Sequence, residues 1–254
     1  MNGFSRALDI EADRVFVGEP QNIHTPGRVY VYEETDGSWT ESTYLEAEDG
    51  EVGDQFGAAL DATGEQVAVG ASSANSVYLY GASMDGWSQT TTVTPADSTS
   101  GFGRSVVLGE DRLFVGTSTT VSMMEKDTVA TPAVHVFEQR GSQWQEVTVL
   151  RSEDVGSDTD FASALHSVDD HLLAAAPEHE GGAIIAFHEG EEGWTEAQTI
   201  VPNELSSNAR FGSALGAVEG QVLVGAPRAY DATGVAYHLS YDAESESWSV
   251  DGRL

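Results

Sequence analysis

Two aspartates and one histidine stand at equivalent positions of the chain, where short strand candidates end. They are Asp9, Asp61 and His166, and each follows a leucine that closes a segment rich in small residues. Glycoside hydrolysis needs two carboxyl groups in a defined geometry, so these residues are candidates for catalysis. The alternative is structural, because aspartate favours the start of a turn. No first-strand candidate carries a second acid deeper in, which favours the structural interpretation.

Two acidic segments offer ligands for a cation. The run Glu153 to Asp160 could gather one through Asp154, Asp158 and Asp160, and Glu178-His179-Glu180 could hold zinc. On a chain this acidic, solvated runs are the more common interpretation of both segments. The sequence has no cysteine, and we find no glycine-rich phosphate loop and no nucleophile motif. We therefore predict neither a metal site nor a cofactor.

The net charge is the strongest compositional signal. Asp and Glu total 42 against 11 Lys and Arg, which gives a formal charge of -31. Such a chain repels nucleic acid and anionic lipid, so we exclude both as partners. No apolar run of about 18 residues is present, so we predict no membrane insertion, and the N-terminus shows no secretory signal. Molar salt would screen the repulsion between these charges, so the composition is typical of a protein adapted to high salt.

Five repeats organise the chain. Each opens on a phenylalanine, followed by a small-residue segment and then by two apolar strand candidates. The opening residues are Phe4, Phe56, Phe102, Phe161 and Phe211. The chain's five tryptophans each open a fourth strand candidate, at Trp39, Trp87, Trp144, Trp194 and Trp248. An aliphatic residue follows each tryptophan six positions later, as Leu45, Val93, Leu150, Ile200 and Leu254.

These short strand candidates predict an all-β fold without helical periodicity. Four strands in roughly 45–55 residues is the size of one propeller blade. We predict a five-bladed β-propeller that forms a single domain over residues 1–254. The repeats are about 1–48, 49–95, 96–152, 153–202 and 203–254. The alternative to a closed ring of five is a piece of a longer propeller or an open array.

The order Phe-Gly, Val-Gly-Ala-Pro, a Val-Tyr strand and then Trp resembles the FG-GAP repeat, the blade unit of integrin-type β-propellers. The resemblance covers nearly the whole chain and is most literal in the second and fifth repeats. These carry Phe56-Gly57 with Val69-Gly70-Ala71, and Phe211-Gly212 with Val224-Gly225-Ala226-Pro227. The first, third and fourth repeats depart from the motif but keep the strand order.

The resemblance implies calcium loops between the first and second strands, and this sequence lacks them. Calcium needs six to eight oxygen ligands, which a loop supplies from carboxylates at alternating positions. The richest candidate, Asp61 to Glu65, offers two carboxylates, and the other four turns are shorter or poorer. We therefore predict that the calcium sites of the family do not carry over.

The resemblance also implies that loops after the second strands share a ligand face. We predict a contact surface at Met123, Met124 and Lys126, because flexible methionines suit an adaptable interface. They could equally pack over their own blade. Four further candidate binding residues lie on two other loops, at Glu178, His179, Arg228 and Tyr230.

We therefore expect a non-enzymatic binding or adhesion module, monomeric, with a protein or carbohydrate ligand. We place it outside the cell or at the cell surface in a saline milieu, with a cytoplasmic location left open. The alternative is a carbohydrate-active, glycosidase-like enzyme that uses the central funnel. Loss of hydrolysis on mutating Asp9 and Asp61 would support that alternative. A structural fragment without a ligand is the third hypothesis.

Overall fold

The fold is all-β, as predicted. The computed structural model describes residues 3–20, 26–97, 99–117, 131–156, 159–218 and 221–254. These residues form five four-stranded antiparallel sheets, and each sheet has the strand order of one propeller blade. The fold class is that of a five-bladed β-propeller, built almost without helix. No helix in the described ranges is long and apolar enough to cross a membrane.

Each blade is a meander in which consecutive strands pair. Blade one comprises β1 (Leu8–Glu11), β2 (Arg14–Glu19), β3 (Arg28–Thr35) and β4 (Ser38–Leu45). Blade two comprises β5 (Phe56–Thr63), β6 (Gln66–Ala71), β7 (Ser76–Ser83) and β8 (Gly86–Val93). Blade three comprises β9 (Ser105–Leu108), β10 (Arg112–Gly116), β11 (Val134–Arg140) and β12 (Gln143–Leu150). Blade four comprises β13 (Leu165–Val168), β14 (His171–Ala176), β15 (Ala183–Gly190) and β16 (Gly193–Ile200). Blade five comprises β17 (Ala214–Val218), β18 (Gln221–Ala226), β19 (Val235–Asp242) and β20 (Ser247–Arg253).

The chain divides into two compact units. Unit one contains residues 1–117 and 135–147, and therefore blades one and two and most of blade three. Unit two contains residues 118–134 and 148–254, and therefore blades four and five. The boundary passes through β11, between Val134 and His135, and through β12, between Val147 and Thr148.

The first strands begin later than the sequence indicated. The repeat phenylalanine opens the strand only in blade two, at Phe56. In the other blades the strand starts several residues further on, and the phenylalanine lies in the turn before it. Gly103, Ala162 and Gly212 have positive φ directly after the phenylalanine, as Gly57 does in blade two, where the pairing is also irregular between Phe56 and Ala59. Phe56, Phe102, Phe161 and Phe211 are nevertheless buried in the core of their blades.

The glycines of the motif pack against each other between neighbouring blades. A Cβ at Gly18 would overlap the carbonyl oxygen of Gly57, and a Cβ at Gly70 would overlap that of Gly103. Gly57 and Gly103 also have φ values of 87° and 88°, which disfavour any side chain. The motif therefore reflects a close approach of two backbones, one from each blade.

The fourth strands confirm the tryptophan pattern. Every tryptophan is the second residue of its strand, in β4, β8, β12, β16 and β20. The aliphatic residue six positions later is buried in blades one to four, but Leu254 is exposed. β20 ends one residue before Leu254, at Arg253, whereas the other four fourth strands end on the aliphatic residue itself.

Candidate functional site

The two candidate catalytic aspartates connect neighbouring blades. Asp9 Oδ2 accepts a hydrogen bond of 2.7 Å from the backbone N–H of Ala62 in blade two. Asp61 Oδ2 accepts one of 2.6 Å from the backbone N–H of Leu108 in blade three. Both residues lie inside strands, β1 and β5, so the expectation that they start turns is wrong. Each carboxylate satisfies a backbone donor of the next first strand, which gives the aspartates a structural role.

Burial shifts the pKa of the Asp61 carboxyl well above its usual value. Desolvation raises the pKa of the partly buried carboxyl to about 7, and the hydrogen bond from Leu108 opposes this effect. The negative charges of Asp9 and Glu11 raise the pKa further. A perturbed pKa of this kind also occurs in catalytic acids. Here the Asp61 carboxyl accepts a hydrogen bond from the backbone N–H of Leu108, which favours a structural role over a catalytic one.

The third candidate, His166, lies in β13 of unit two. Burial lowers the pKa of its imidazole, so the neutral form dominates at pH 7. It makes no hydrogen bond or ion pair with any residue that the structure describes. The structure therefore gives His166 no carboxylate partner for acid–base catalysis.

The acidic candidates for cation binding are mostly engaged or undescribed. Asp154 Oδ2 accepts a 2.6 Å hydrogen bond from the hydroxyl of Thr199, while Asp158 lies outside the described residues. In the candidate calcium turn, Asp61 is held by Leu108. Neither segment assembles a set of free carboxylates among the described residues.

Of the seven candidate binding residues, four are described. Met123, Met124 and Lys126 lie outside the described residues. Glu178, His179, Arg228 and Tyr230 belong to loops of blades four and five, both in unit two.

The loops 178–182 and 227–234 each contact the loop 203–210, and we call the three loops the loop surface. Glu178 forms an ion pair with Arg210. The Arg228 N–H donates to the carbonyl of Ala209 at 3.1 Å, and the Phe211 N–H donates to that of Gly181 at 2.9 Å. These bonds connect all three loops, so the four described candidates share one surface although up to 52 positions separate them in the sequence.

The loop surface contains a cleft with a volume of about 530 Å³. Arg228 and Tyr230 line the cleft, whereas Glu178 and His179 do not. The other polar lining residues are Glu204, Ser206, Asn208 and Asp231. The guanidinium of Arg228 is exposed and makes no ion pair or side-chain hydrogen bond within the described part of the chain. The cleft thus offers hydrogen-bond donors, acceptors and one cation without a partner.

Tyr230 has a strained backbone. Tyr230, Asp231 and Ala232 are consecutive non-glycine residues in the left-handed region, with φ values of 51°, 57° and 64°. They form the turn α1 (Ala229–Ala232), whose interior dihedral angles are not those of a right-handed helix. Such conformations cost of order 1–3 kcal/mol each and cluster at functional sites.

Two side chains fix the ring of Tyr230. The Arg253 guanidinium lies 4.7 Å from the ring centroid, and the Tyr237 hydroxyl is 3.5 Å from the Tyr230 hydroxyl. The hydrogen bond with Tyr237, together with Arg253, lowers the pKa of Tyr230. Burial raises the pKa of Tyr237 to about 12. The contacts with Arg253 and Tyr237 therefore hold the ring of Tyr230 at the cleft.

Sequence reasoning missed one further group, Asp170, His171 and His188. A metal-binding motif is recognised in a sequence by histidines that are close together, and these two are 17 residues apart. The antiparallel register of β14 and β15 places His171 directly opposite His188. A search for histidines at paired positions of adjacent strands would have found them.

The comparisons with known proteins concern the repeat and the fold. The sequence model of the FG-GAP repeat matches residues 39–81, from β4 of blade one into β7 of blade two. No curated protein matches the sequence.

Two crystal structures are similar, both of proteins described as putative 6-phosphogluconolactonases. The structure from Bacteroides uniformis has a TM-score of 0.70 and 10% identity, and the match covers 98% of this chain and 71% of that one. The structure from Bacteroides fragilis has a TM-score of 0.54 and 10% identity, with 98% and 84% covered. At this identity the likeness shows the fold alone. This chain is therefore an all-β protein of the five-bladed propeller class, and it matches the FG-GAP repeat at residues 39–81.

Proposed function

We propose that this protein is a non-enzymatic binding module and that its ligand occupies the cleft of the loop surface. The observation that carries the proposal is Arg228, an exposed guanidinium that makes no ion pair with any residue the structure describes, in a chain of net charge -31. Arginine is a preferred residue for binding carboxylates, because its planar N–H groups form two parallel hydrogen bonds. In so acidic a chain, an arginine that neutralises no carboxylate is available for an external one.

The neighbours of Arg228 favour a carbohydrate ligand. Ser206 and Asn208 can donate and accept hydrogen bonds, and Glu204 and Asp231 accept them. Sugar hydroxyls require both hydrogen-bond donors and acceptors, whereas an apolar ligand would leave the polar side chains of the cleft without hydrogen-bond partners. We infer an acidic carbohydrate whose carboxylate binds Arg228.

The test is a glycan array in molar KCl that displays uronic acid oligosaccharides beside their neutral counterparts. We expect the wild-type protein to bind uronate glycans, and Arg228→Gln to weaken binding at least about tenfold, since a charged hydrogen bond contributes about 1.5–3 kcal/mol. Arg140→Gln is the matched control, because Arg140 is exposed on β11 and already paired with Glu138 at 3.1 Å. Equal weakening by both variants, or equal binding of neutral glycans, would refute the carboxylate contact.

We further propose that the protein acts as a monomer, outside the cell or at its surface, in a saline milieu. The saline milieu is supported by the ratio of 42 acidic to 11 basic residues, because the resulting repulsion is screened only at high ionic strength. Circular dichroism from low salt to molar KCl tests the milieu. We expect β-structure to increase with salt, and a chain fully folded at low salt would argue against halophilic adaptation.

The names of the two Bacteroides proteins support one enzymatic alternative, hydrolysis of a sugar lactone. The glycosidase-like alternative has less support, because Asp9 and Asp61 both accept backbone hydrogen bonds. Incubation of the protein with 6-phosphogluconolactone, compared with spontaneous hydrolysis, decides the lactonase question. We expect no acceleration, and an acceleration abolished by a single substitution in the chain would establish an enzyme instead.

A further inference from the structure

Three side chains with metal-ligating atoms converge in blade four. Asp170 lies in the turn between β13 and β14, His171 is the first residue of β14, and His188 lies in β15. Asp170 Oδ1 is 2.8 Å from His171 Nδ1, and Asp170 Oδ2 is 3.4 Å from His188 Nδ1. One donor atom from each residue falls within 4.8 Å of the other two. Among the described residues, no other such group was found.

One of these donor atoms has an unmet requirement. His188 Nδ1 is shielded from solvent yet has no hydrogen-bond partner in the described part of the chain. Its nearest acidic oxygen, on Asp170, is close enough for an ion pair but lacks hydrogen-bond geometry. A buried nitrogen without a partner is costly, and an ion between Asp170 and the two imidazoles would satisfy it.

We propose that Asp170, His171 and His188 bind a divalent transition-metal ion of the Zn²⁺, Ni²⁺ or Co²⁺ class. Two imidazoles and one carboxylate are ligands that these ions prefer, while calcium requires more oxygen atoms. Zinc binds such ligands at about 2.0–2.2 Å, which requires donor atoms roughly 3–3.5 Å apart. The two measured Asp–His separations already lie close to that range.

The burial of the three ligands suggests an accessible ion. The side chain of His171 is 7% exposed, whereas that of Asp170 is 53% exposed. The ion would therefore rest on a buried imidazole and face solvent beside the carboxylate. Three protein ligands leave at least one position for water or an exogenous ligand.

Aromatic residues of blade five hold the buried imidazole in place. The His171 ring lies 4.4 Å from the ring of Tyr241 and 5.8 Å from that of Trp248. Trp248 is itself buried, so these two rings restrict the orientation of the imidazole.

The proximity of Trp248 also supplies a signal for metal binding, because paramagnetic Ni²⁺ or Co²⁺ at the site would quench its fluorescence. This inference does not rest on the proposed carbohydrate function, since the residues are different.

The experiment is a titration of the metal-free protein with NiCl₂, CoCl₂ and ZnCl₂ in molar KCl with excess Mg²⁺. Magnesium occupies surface carboxylates but binds imidazole poorly, so it suppresses non-specific binding. Calorimetry measures affinity, tryptophan fluorescence reports on Trp248, and the visible spectrum of Co²⁺ reports on its ligands. We expect one ion per chain, with affinity at least about tenfold lower in His188→Ala and in Asp170→Asn.

His238→Ala is the matched control. His238 Nδ1 lies 3.0 Å from Asp251 Oδ2, so it forms a histidine–aspartate pair without a second imidazole. We expect this variant to bind metal like the wild type. Circular dichroism of each metal-free variant verifies its fold, and Asp170→Asn, at an exposed turn, keeps the side-chain size. Absence of binding by the wild-type protein, or an equal loss in His238→Ala, would overturn the proposal.

Discussion

Blades two and five carry almost the same motif, but their glycines have different surroundings. Phe56-Gly57 with Val69-Gly70-Ala71 corresponds to Phe211-Gly212 with Val224-Gly225-Ala226. A Cβ at Gly70 would overlap the Gly103 carbonyl of blade three. A Cβ at Gly225 would instead meet only Ala214 of its own blade, with a closest approach of 3.6 Å.

The same contrast extends to the apolar side chains. Leu223 of blade five is 43% exposed, whereas its counterpart Ala68 in blade two is fully buried. Leu254 is 79% exposed, whereas its counterpart Val93 is 6% exposed. In blades one and two, therefore, the motif glycine is required by the backbone of the following blade, whereas blade four has Ala175 at this position and blade five leaves room for a Cβ at Gly225. Three pairs of substitutions test this interpretation.

The largest effect is expected from alanine at the two glycines. Gly70→Ala should lower the free energy of unfolding by at least about 3 kcal/mol, because its methyl group meets a backbone carbonyl that cannot rotate away. Gly225→Ala should change it by less than about 1 kcal/mol, since ordinary contact distance remains. Urea denaturation in molar KCl measures both. Similar losses in the two variants would contradict the blade-to-blade explanation.

The next effect concerns the aspartate that blade five lacks. In blade five, Gly216 occupies the position that Asp61 has in blade two. The pKa of Asp61 is about 7 in the folded protein and 3.8 in the unfolded chain. The folded state therefore retains a proton that the unfolded state loses, and stability falls as pH rises from about 4 to about 7.

Asp61→Asn should remove this dependence, because the amide oxygen still accepts the Leu108 N–H but cannot ionise. We expect the variant to gain about 2–4 kcal/mol relative to the wild type over that pH interval, where one pKa unit corresponds to about 1.4 kcal/mol. Urea denaturation at several pH values is the measurement. In Asp9→Asn the decline should end at a lower pH and be smaller, because a negative charge that raises the folded-state pKa of Asp61 is gone. Parallel curves for Asp61→Asn and the wild type would exclude Asp61 as the titrating group.

The smallest effect compares the ends of the fourth strands. Val93→Ala should cost about 2 kcal/mol, because Val93 is buried. Leu254→Ala should cost less than about 0.5 kcal/mol, because most of its side chain already faces solvent. Thermal and urea unfolding of both variants measures these two changes in stability. A large loss at Leu254 would mean that this residue is covered in solution.

Much of the fold was predictable, because it is written in local periodic patterns. The tryptophan positions predicted the start of all five fourth strands, and the structure confirms each as the second residue of its strand. The start of the first strands was not predictable in the same way. Phe102, Phe161 and Phe211 resemble Phe56 in sequence, but Phe56 pairs with Ala71 of the second strand, whereas the other three lie in turns.

Less of the candidate site was predictable. Arg228 and Tyr230 were chosen because such residues are common in interfaces, and the structure places both in one cleft. Whether they bind a ligand stays a prediction. The strain at Tyr230 had no sequence signal, because three consecutive left-handed residues without glycine are unexpected from composition. The metal-ligating group was missed because its two histidines meet only through strand pairing.

The number, order and class of the strands, together with the acidic character of the chain, follow from the sequence alone. These properties depend on residue types and short spacings, which hydrophobic alternation and turn chemistry express locally. Only the tertiary structure decided the partners of particular side chains. Asp9 reaches a backbone N–H 53 residues away, and Asp61 reaches one 47 residues away. Such contacts depend on the register between one blade and the next, which the residue spacing within a single repeat does not specify.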